Sequence, residues 1–414
     1  MNAIKKIIFL GGLWDNDEEV IRISKGSVQF AANAFQKNII RGLDQAFGSP
    51  TTIVTGLFIG SYPTRCDQLK FASSNFNHSE FEGHLDYKVG FCNLSGIKHF
   101  SMAHSLKKKA EALLRSEKSV EGICICAYAM TYSTVTALTE LKSKFPEVCT
   151  CLIVPDLPQY MNLGAKKRRL RSAVKSLVNR RLLSMIQNID CFTVLTKFMP
   201  EKLGIENKPY CVVEGIAPYA ESVSDKDALE KNSIVYTGSL DEKYGIVDLV
   251  DSFCSLNRDD LYLDIYGHGD SIPYIMEKSK SNLIRFWGNV ENDVARKAQQ
   301  DALLLVNPRK NSEEYTKYSF PSKTLEYMSS GTAVLMCRLP GVPEEYYEHV
   351  FTFEEDLQDS LKKVTSLPKT ELVAKGLEGK DFAFKYKNAA IQSEKILSLF
   401  ESVLSKNSGE EEGE

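Results

Sequence analysis

Lys323 and Glu326 are spaced for chemistry at the start of a helix. The stretch 319–331 reads S-F-P-S-K-T-L-E-Y-M-S-S-G. Lys323 falls in the first helical turn, where the helix dipole and free backbone N–H groups disfavour a cation. A cation tolerated there indicates that an anion shares the site. Glu326, on the same face, would accept hydrogen bonds from hydroxyls, so the pair suits a nucleoside diphosphate and its ribose.

The same spacing also suits an ordinary ion pair on an exposed helix, because residues three apart are neighbours on a helix surface. Such pairs contribute little to stability. Spacing alone leaves the two interpretations open.

Two apolar runs of strand length flank this helix, at 302–307 and 332–336. Pro321 suits the first helical position, and Gly331 suits the position just after the helix. The order strand, helix, strand predicts that the two strands are parallel neighbours.

Further polar and glycine residues follow strand ends in the same half of the chain. Gly238 follows the predicted strand 233–237, and Lys243 lies at the start of the next helix, where an anion is again expected. Gly267 and Gly269 form a Gly-x-Gly without the third glycine of a dinucleotide fingerprint, so a nicotinamide cofactor is not supported. Ordinary strand-to-helix turns also use glycine, which keeps a purely structural role open.

Arg309 directly follows the strand 302–307 and is placed for a phosphate, or for a surface salt bridge. Parallel strands end at one edge of a sheet. We therefore predict that Lys243, Arg309, Ser322 and Lys323 line one anion-binding edge, at the mouth of a cleft between two domains.

Apolar runs alternate with helical patterns along the whole chain, which predicts an α/β protein with two parallel, doubly wound, Rossmann-like sheets. The predicted strands are 7–10, 52–55, 122–127, 150–154, 191–195, 211–213, 233–237, 262–266, 284–287, 302–307, 333–336 and 350–353. The polar stretch 215–231 is predicted to link the halves. The stretch 57–100 lacks periodicity, so we expect loops and short strands near a substrate, or an irregular part of the sheet.

In the first half, ligands are again expected where strands end. The residues at these ends are Gly11, Gly12, Tyr128 and Asp156. The predicted domains are 1–215, joined by a C-terminal helix at about 380–405, and 216–379. A polar acidic tail at 406–414 is predicted to be disordered.

The composition is that of a globular protein. The 414 residues are 43% hydrophobic and 25% charged, and the net charge of −3 gives no case for nucleic acid. We expect no signal peptide, because the N-terminus runs directly into the strand 7–10. The ten cysteines are scattered, several of them alternating along strands, which predicts buried reduced thiols in a cytosolic protein and no metal site.

The stretch 164–186 carries eight lysines and arginines and no acidic residue. It has a helical apolar stripe, which predicts a basic amphipathic helix at a membrane surface with anionic lipid. A solvated helix that packs its stripe on the core is the alternative. Nucleic acid is disfavoured, because aromatic residues are not interleaved with the basic ones.

The second half resembles the donor domain of family 4 nucleotide-sugar glycosyltransferases, which have the GT-B fold of two facing Rossmann-like domains. The landmarks occur in order: Y-T-G-S-L, K-Y-G, Y-G-H-G-D, N-P-R and S-F-P-S-K-T-L-E-Y-M-S-S-G. The first half resembles bacterial capsule or exopolysaccharide members through G-S-Y-P at 60–63 and V-P-D-L-P-Q-Y-M at 154–161.

The resemblance implies retaining transfer of a sugar from a nucleoside-diphosphate donor, with UDP preferred, to an acceptor hydroxyl, and no metal or other cofactor is required. Together with the basic helix it favours a lipid-linked or polysaccharide acceptor and an enzyme that is cytoplasmic or peripheral on the inner face of the membrane. Glu326 would bind the donor ribose, and the backbone of Gly288 would contact the nucleotide base. Lys323, with Lys243 or Arg309, would neutralise the leaving diphosphate. The glycines at 11 and 12 would approach the donor from the first domain.

The chain departs from the family at three positions. Tyr318 stands where the family has the first glutamate of its E-x7-E motif, and Glu314 is the nearby carboxylate that could replace it. Ser239 replaces a frequent arginine, and Tyr128 to Thr131 replace a first-domain histidine. These departures motivate an alternative, an inactive acceptor-binding or scaffold protein. A nucleotide-sugar 2-epimerase is a less favoured alternative with the same fold.

Overall fold

The chain divides into two units, each built around its own predominantly parallel sheet. The computed structural model describes residues 3–26, 28–157, 169–218 and 231–407. One unit comprises Met1–Glu214 and Ala389–Glu414, and the other comprises Gly215–Asn388. Most of the predicted linker, the end of the 154–161 motif, the beginning of the basic stretch at 164–168 and the tail from 408 onward lie outside the described residues.

The first unit is built on an eight-stranded sheet in the order β10-β9-β8-β7-β1-β2-β5-β4. All neighbours in this sheet are parallel except β4 and β5, which are antiparallel. β3 and β6 form a separate antiparallel pair. The strands are β1 (Lys6–Gly11), β2 (Thr52–Thr55), β3 (Lys70–Phe71), β4 (Ser74–Phe76), β5 (Asp86–Lys88), β6 (Phe91–Cys92), β7 (Ile123–Tyr128), β8 (Cys149–Val154), β9 (Cys191–Val194) and β10 (Tyr210–Val212).

Local signals set the helices of this unit. Thr131 caps α4 (Tyr132–Lys144) in a capping box with Thr134, and Gly48 ends α2 (Phe30–Phe47) in a left-handed conformation. The five cysteines at 124, 126, 149, 151 and 191 are buried and unpaired. The helices are α1 (Asp17–Ile23), α2 (Phe30–Phe47), α3 (Lys98–Ser116), α4 (Tyr132–Lys144), α5 (Arg169–Met185) and α6 (Met199–Leu203).

The second unit contains a six-stranded, fully parallel sheet in the order β13-β12-β11-β14-β15-β16. Its strands are β11 (Ser233–Ser239), β12 (Tyr262–His268), β13 (Ile284–Gly288), β14 (Leu304–Asn307), β15 (Ala333–Cys337) and β16 (Phe351–Phe353). Its helices are α7 (Ile246–Cys254), α8 (Ile272–Lys278), α9 (Asn292–Asp301), α10 (Ser322–Ser329), α11 (Leu357–Thr365) and α12 (Lys369–Tyr386).

The predicted strand–helix–strand unit is confirmed, because β14 and β15 are parallel neighbours on either side of α10 in the chain. Gly331 follows α10 with φ of 79°, as predicted from its position. α10 begins one residue later than predicted, at Ser322. Pro321 is therefore the N-cap residue, in an extended conformation, and not the first helical residue.

The C-terminal helix α13 (Ala389–Asn407) returns to the first unit and packs along α2. The contact is close at Gly42, where a Cβ atom would lie 2.1 Å from the Ala389 carbonyl oxygen. One C-terminal helix was expected over about 380–405, but α12 ends at Tyr386 and α13 begins at Ala389, after a break. Lys387 in that break is buried and ion-paired with Glu345, and its carbonyl accepts the Ala217 N–H, so tertiary contacts set the boundary.

His78 joins α2 to β5 in the first unit. Its Nδ1 lies 2.6 Å from Asp86 Oδ2 and its Nε2 lies 2.8 Å from Asp44 Oδ2. The His84 ring packs edge-on against it and contacts the other oxygen of Asp86 at 3.0 Å. Burial of the ring opposes its positive charge, but the hydrogen bonds to the two carboxylates outweigh it and raise the pKa of His78 to about 9.

This pairing predicts pH-dependent stability. The pKa of His78 is about 9 in the folded protein and about 6.5 unfolded, so its contribution is fully present below pH 6.5 and is lost as pH rises through 9. We expect His78→Asn to lower the free energy of unfolding by about 1–2 kcal/mol at pH 6.5, after allowance for solvent screening. Urea denaturation at pH 6.5 and pH 9.5 measures it.

His104→Asn is the matched control, because His104 is an exposed histidine of the same unit. The gap between wild type and His78→Asn should close at pH 9.5, while the control tracks wild type at both values. An equal loss for His78→Asn at both pH values would contradict the assignment.

Candidate active site

The carboxyl ends of β11 and β12 meet through two glycines. Gly238 and Gly267 have φ values of 154° and 138°. A Cβ atom at Gly267 would lie 1.8 Å from the Gly238 carbonyl oxygen, so no other residue fits there. Gly269 is similarly confined, by the backbone of Leu240 at 2.4 Å. These glycines let the two strand ends approach each other, which gives them a structural role in the described contacts.

Lys323 extends from the first turn of α10 toward the end of β11. Its Nζ lies 3.1 and 3.0 Å from the two carboxylate oxygens of Glu326 and 3.3 Å from Thr237 Oγ1. The side chains of Lys323 and Glu326 are each 32% exposed. The ion pair expected from the spacing is therefore present, but it is half-buried and tied to the sheet.

Two residues of the second unit hold the partners of Lys323. Gln299, on α9, is almost fully buried, and its Nε2 donates to Glu326 Oε1 at 2.7 Å and to Thr237 Oγ1 at 2.8 Å. The Tyr327 hydroxyl accepts the Thr237 N–H at 2.9 Å and donates to the Thr237 carbonyl oxygen at 3.0 Å. Burial raises the pKa of Tyr327, which keeps this donor protonated.

Arg309 lies beyond β14, the strand next to β11 in the sheet, and is buried. Its Nη2 donates to Ser319 Oγ at 2.7 Å, and its guanidinium stacks 4.7 Å from the centre of the Tyr315 ring. Its Nε has no hydrogen-bond partner among the residues that the structure describes. A buried guanidinium without a carboxylate in these contacts leaves positive charge at this edge of the sheet.

Other predicted residues of this unit lie in more open positions. Lys243 is 39% exposed and 3.8 Å from Asp241, so its described contacts lie apart from Lys323. Ser322 is exposed at the start of α10. Gly288 ends β13 with φ of 72° and has open space where a Cβ atom would be.

Tyr318 and Glu314 lie together on a short 3-10 segment, Glu314–Tyr318. The Tyr318 hydroxyl donates to Glu314 Oε1 at 3.4 Å. The carboxylate that could replace the first glutamate of the motif is therefore in contact with the residue that displaced it.

The predicted residues of the first unit also lie at strand ends. The Gly12 N–H donates to Gln36 Oε1 at 2.9 Å, and a Cβ at Gly12 would overlap the Phe58 ring, so own-chain packing already explains this glycine. At Gly11, which ends β1, a Cβ would lie 2.7 Å from the same amide oxygen. Tyr128 is buried and packs edge-on against Phe35.

Asp156 follows β8 and reaches solvent at one side. The protein that crowds its carboxyl group removes water and raises its pKa to about 6. Asp156 and Tyr128 interact electrostatically, and burial, reinforced by this carboxylate, raises the pKa of the Tyr128 hydroxyl.

Sequence reasoning missed Thr237, Gln299 and Tyr327. Thr237 carries a weak signal, since it is a polar residue directly before the glycine at a strand end. Gln299 and Gln300 are adjacent on a polar helix, and only the fold distinguishes the buried one. Tyr327 looks like one of several apolar residues in α10.

Comparison with known proteins adds a domain assignment. Residues 231–368 match the family described as Glycosyl transferases group 1. This range includes Gly238, Gln299, Lys323 and Glu326. No curated protein matches the sequence.

Solved structures of three synthases share the fold over nearly the whole chain. A sucrose-phosphate synthase from Thermosynechococcus elongatus is 13% identical with a TM-score of 0.65, covering 97% of this chain and 100% of that one. A UDP-forming α,α-trehalose-phosphate synthase from Burkholderia xenovorans, in complex with glucose-6-phosphate, is 9% identical with a TM-score of 0.62, covering 96% and 100%. The catalytic domain of starch synthase IV from Arabidopsis thaliana, bound to ADP and acarbose, is 10% identical with a TM-score of 0.58, covering 97% and 99%.

At these identities the structures establish the fold alone, and the matched domain carries the enzyme class. The predicted α/β architecture of the GT-B type, with its C-terminal helix, is confirmed, as is the prediction of a glycosyltransferase. The chain therefore has the GT-B fold, and its residues 231–368 match the family described as Glycosyl transferases group 1.

Proposed function

We propose that the protein transfers a sugar, with retention of configuration, from a nucleoside-diphosphate donor to a lipid-linked or polysaccharide acceptor in cell-surface polysaccharide synthesis. A uridine nucleotide is the first donor to test, and one similar structure is a UDP-forming synthase. The protein would belong with the family 4 enzymes of capsule or exopolysaccharide type that its motifs resemble.

The half-buried cation at the start of α10 carries this proposal. Lys323 lies at the positive end of the helix dipole, and its described partners are Glu326 and Thr237. A diphosphate at this place would accept hydrogen bonds from the Lys323 ammonium group and from free N–H groups of the first turn. Glu326 would then accept a ribose hydroxyl in exchange for part of its pairing with Lys323.

The chemistry follows from charge. The bond between the sugar C1 and a phosphate oxygen breaks, a bond from C1 to the acceptor oxygen forms, and the acceptor proton leaves with the diphosphate. Negative charge grows on the diphosphate as it departs, so a preorganised cation lowers the barrier. Lys323 and the buried Arg309 would supply that charge without a metal ion, and Lys243 could add to it from its exposed position.

The first unit would provide the acceptor side and a contact with the membrane surface. The basic helix α5 exposes Leu177, which is 68% accessible. Arg181, one turn on, lies 6.0 Å from the Tyr132 ring, and Tyr132 packs 4.8 Å from Phe100, which is 60% exposed. Basic and apolar groups side by side suit the headgroup region of an anionic bilayer. Within the described chain, no helix is both long and apolar enough to span a bilayer.

A second candidate function is an inactive scaffold that binds acceptor without transfer. Tyr318 in place of the expected glutamate favours it. The contact with Glu314 favours activity instead, since it retains a carboxylate on the same segment. Calorimetry with uridine and guanosine diphosphates separates the two, because the scaffold would bind neither.

Lys323→Ala should abolish transfer while leaving the fold intact. The lost positive charge would raise the barrier to departure of the diphosphate, by about 3–4 kcal/mol if Lys323 acts like an oxyanion-hole donor, which is at least 100-fold in rate. Incorporation of radiolabelled sugar into membranes that contain the acceptor measures the effect. Lys280→Ala, at an exposed lysine of the same unit, is the control.

Retained activity in Lys323→Ala would remove this residue from the mechanism. No incorporation and no donor hydrolysis by the wild type, with any common nucleotide sugar, would exclude the enzyme and leave the scaffold.

Arg180→Glu with Arg181→Glu should weaken binding to vesicles containing anionic lipid by about tenfold or more, because each basic residue near such a surface contributes about 1 kcal/mol. Co-sedimentation measures it. Lys37→Glu with Lys118→Glu changes the net charge equally at exposed sites on other helices or loops and should bind like wild type. Equal loss in both double variants would show a nonspecific charge effect and contradict docking through α5.

A further inference from the structure

Gln299 bridges two groups of the candidate donor site. Its Nε2 carries two hydrogens and has two acceptors, Glu326 Oε1 at 2.7 Å and Thr237 Oγ1 at 2.8 Å. The side chain is 1% exposed, so water cannot replace either hydrogen bond.

The bridge divides the two oxygens of Glu326 between different tasks. Oε1 accepts from both Gln299 and Lys323, at 2.7 and 3.1 Å. Among the described residues, Oε2 accepts only from Lys323, at 3.0 Å. A carboxylate oxygen has two lone pairs, so Oε2 keeps the capacity to accept a ligand hydroxyl.

The groups around Gln299 are themselves fixed. The backbone carbonyl oxygen of Gln299 accepts a hydrogen bond from Thr332 Oγ1 at 2.7 Å, which ties α9 to the residue before β15. The backbone N–H and the backbone carbonyl oxygen of Thr237 are both hydrogen-bonded to the Tyr327 hydroxyl. The amide therefore holds the Glu326 carboxylate in one orientation, rather than following its movement.

We infer that Gln299 is a positioning residue that orients Glu326 toward the ribose hydroxyls of the donor. This inference rests on the proposed function, because it assigns Gln299 to the nucleotide site. Without the amide, Glu326 Oε1 would lose its charge-assisted hydrogen bond to Gln299, and the carboxylate could rotate away from the orientation that presents Oε2 to a ligand hydroxyl.

The inference predicts a loss of ribose recognition. Gln299→Met keeps the length of the side chain and removes its donors. We expect uridine diphosphate to bind about 10- to 100-fold more weakly to this variant, the range for a hydrogen bond to a charged group. Its 2′,3′-dideoxy analogue, which offers no ribose hydroxyl, should bind wild type and variant with similar affinity.

Isothermal titration calorimetry on the full chain with both nucleotides gives the readout, the ratio of their affinities. A merely structural role would lower the melting temperature without changing this ratio. Gln300→Met, at the adjacent and more exposed position of α9, should keep the wild-type ratio. Gln299→Asn is the second variant if Gln299→Met does not fold. Its side chain is one methylene shorter, so its amide nitrogen cannot reach both Glu326 Oε1 and Thr237 Oγ1.

The outcomes are separable. A wild type that binds neither of these uridine nucleotides, nor guanosine diphosphate titrated in the same way, overturns the proposed function. A wild type that binds both equally leaves nucleotide binding in place and overturns ribose recognition by Glu326, and with it this inference. A ribose preference that survives unchanged in the folded Gln299 variant overturns the inference alone, whereas its selective loss supports it.

Discussion

The second unit is organised around a cation in an unfavourable place. Lys323 sits in the first turn of α10, where the helix dipole is positive, and its side chain is about two-thirds buried. Glu326 balances that charge from one turn on, at 3.0 Å. An ion pair that is neither exposed nor fully buried is costly to leave incomplete and easy to exchange for another anion. That exchange is what a site for a departing diphosphate requires.

The scaffold makes this exchange possible by fixing everything around the pair. Parallel strands bring the carboxyl ends of β11 and β14 to one edge, which places Thr237 near Lys323 and Arg309 beyond the neighbouring strand. The close approach of Gly238 and Gly267 shapes that edge. The Tyr327 hydroxyl is hydrogen-bonded to the backbone of Thr237, which anchors the end of β11 to α10. Rigid support of this kind is what preorganised electrostatic catalysis needs.

The fold was predictable from the sequence because its signals are local. Buried parallel strands are short apolar runs, and α10 carries its own start and stop signals, so the unit around Lys323 was predicted correctly to within two residues. The support for the site was not predictable, because it depends on contacts between distant segments. Gln299 and Gln300 are chemically identical in the sequence, and Thr237 lies 62 residues from the amide that binds it. The break at Lys387 likewise reflects contacts with residues far along the chain.

A structure of the protein with a bound nucleoside diphosphate would test the central claim most directly. The account predicts that Lys323 Nζ lies within about 2.7–3.2 Å of a diphosphate oxygen and that a ribose hydroxyl donates to Glu326 Oε2. Gln299 should remain on Oε1. A nucleotide bound away from α10, with Lys323 and Glu326 still paired only with each other and their present partners, would contradict it.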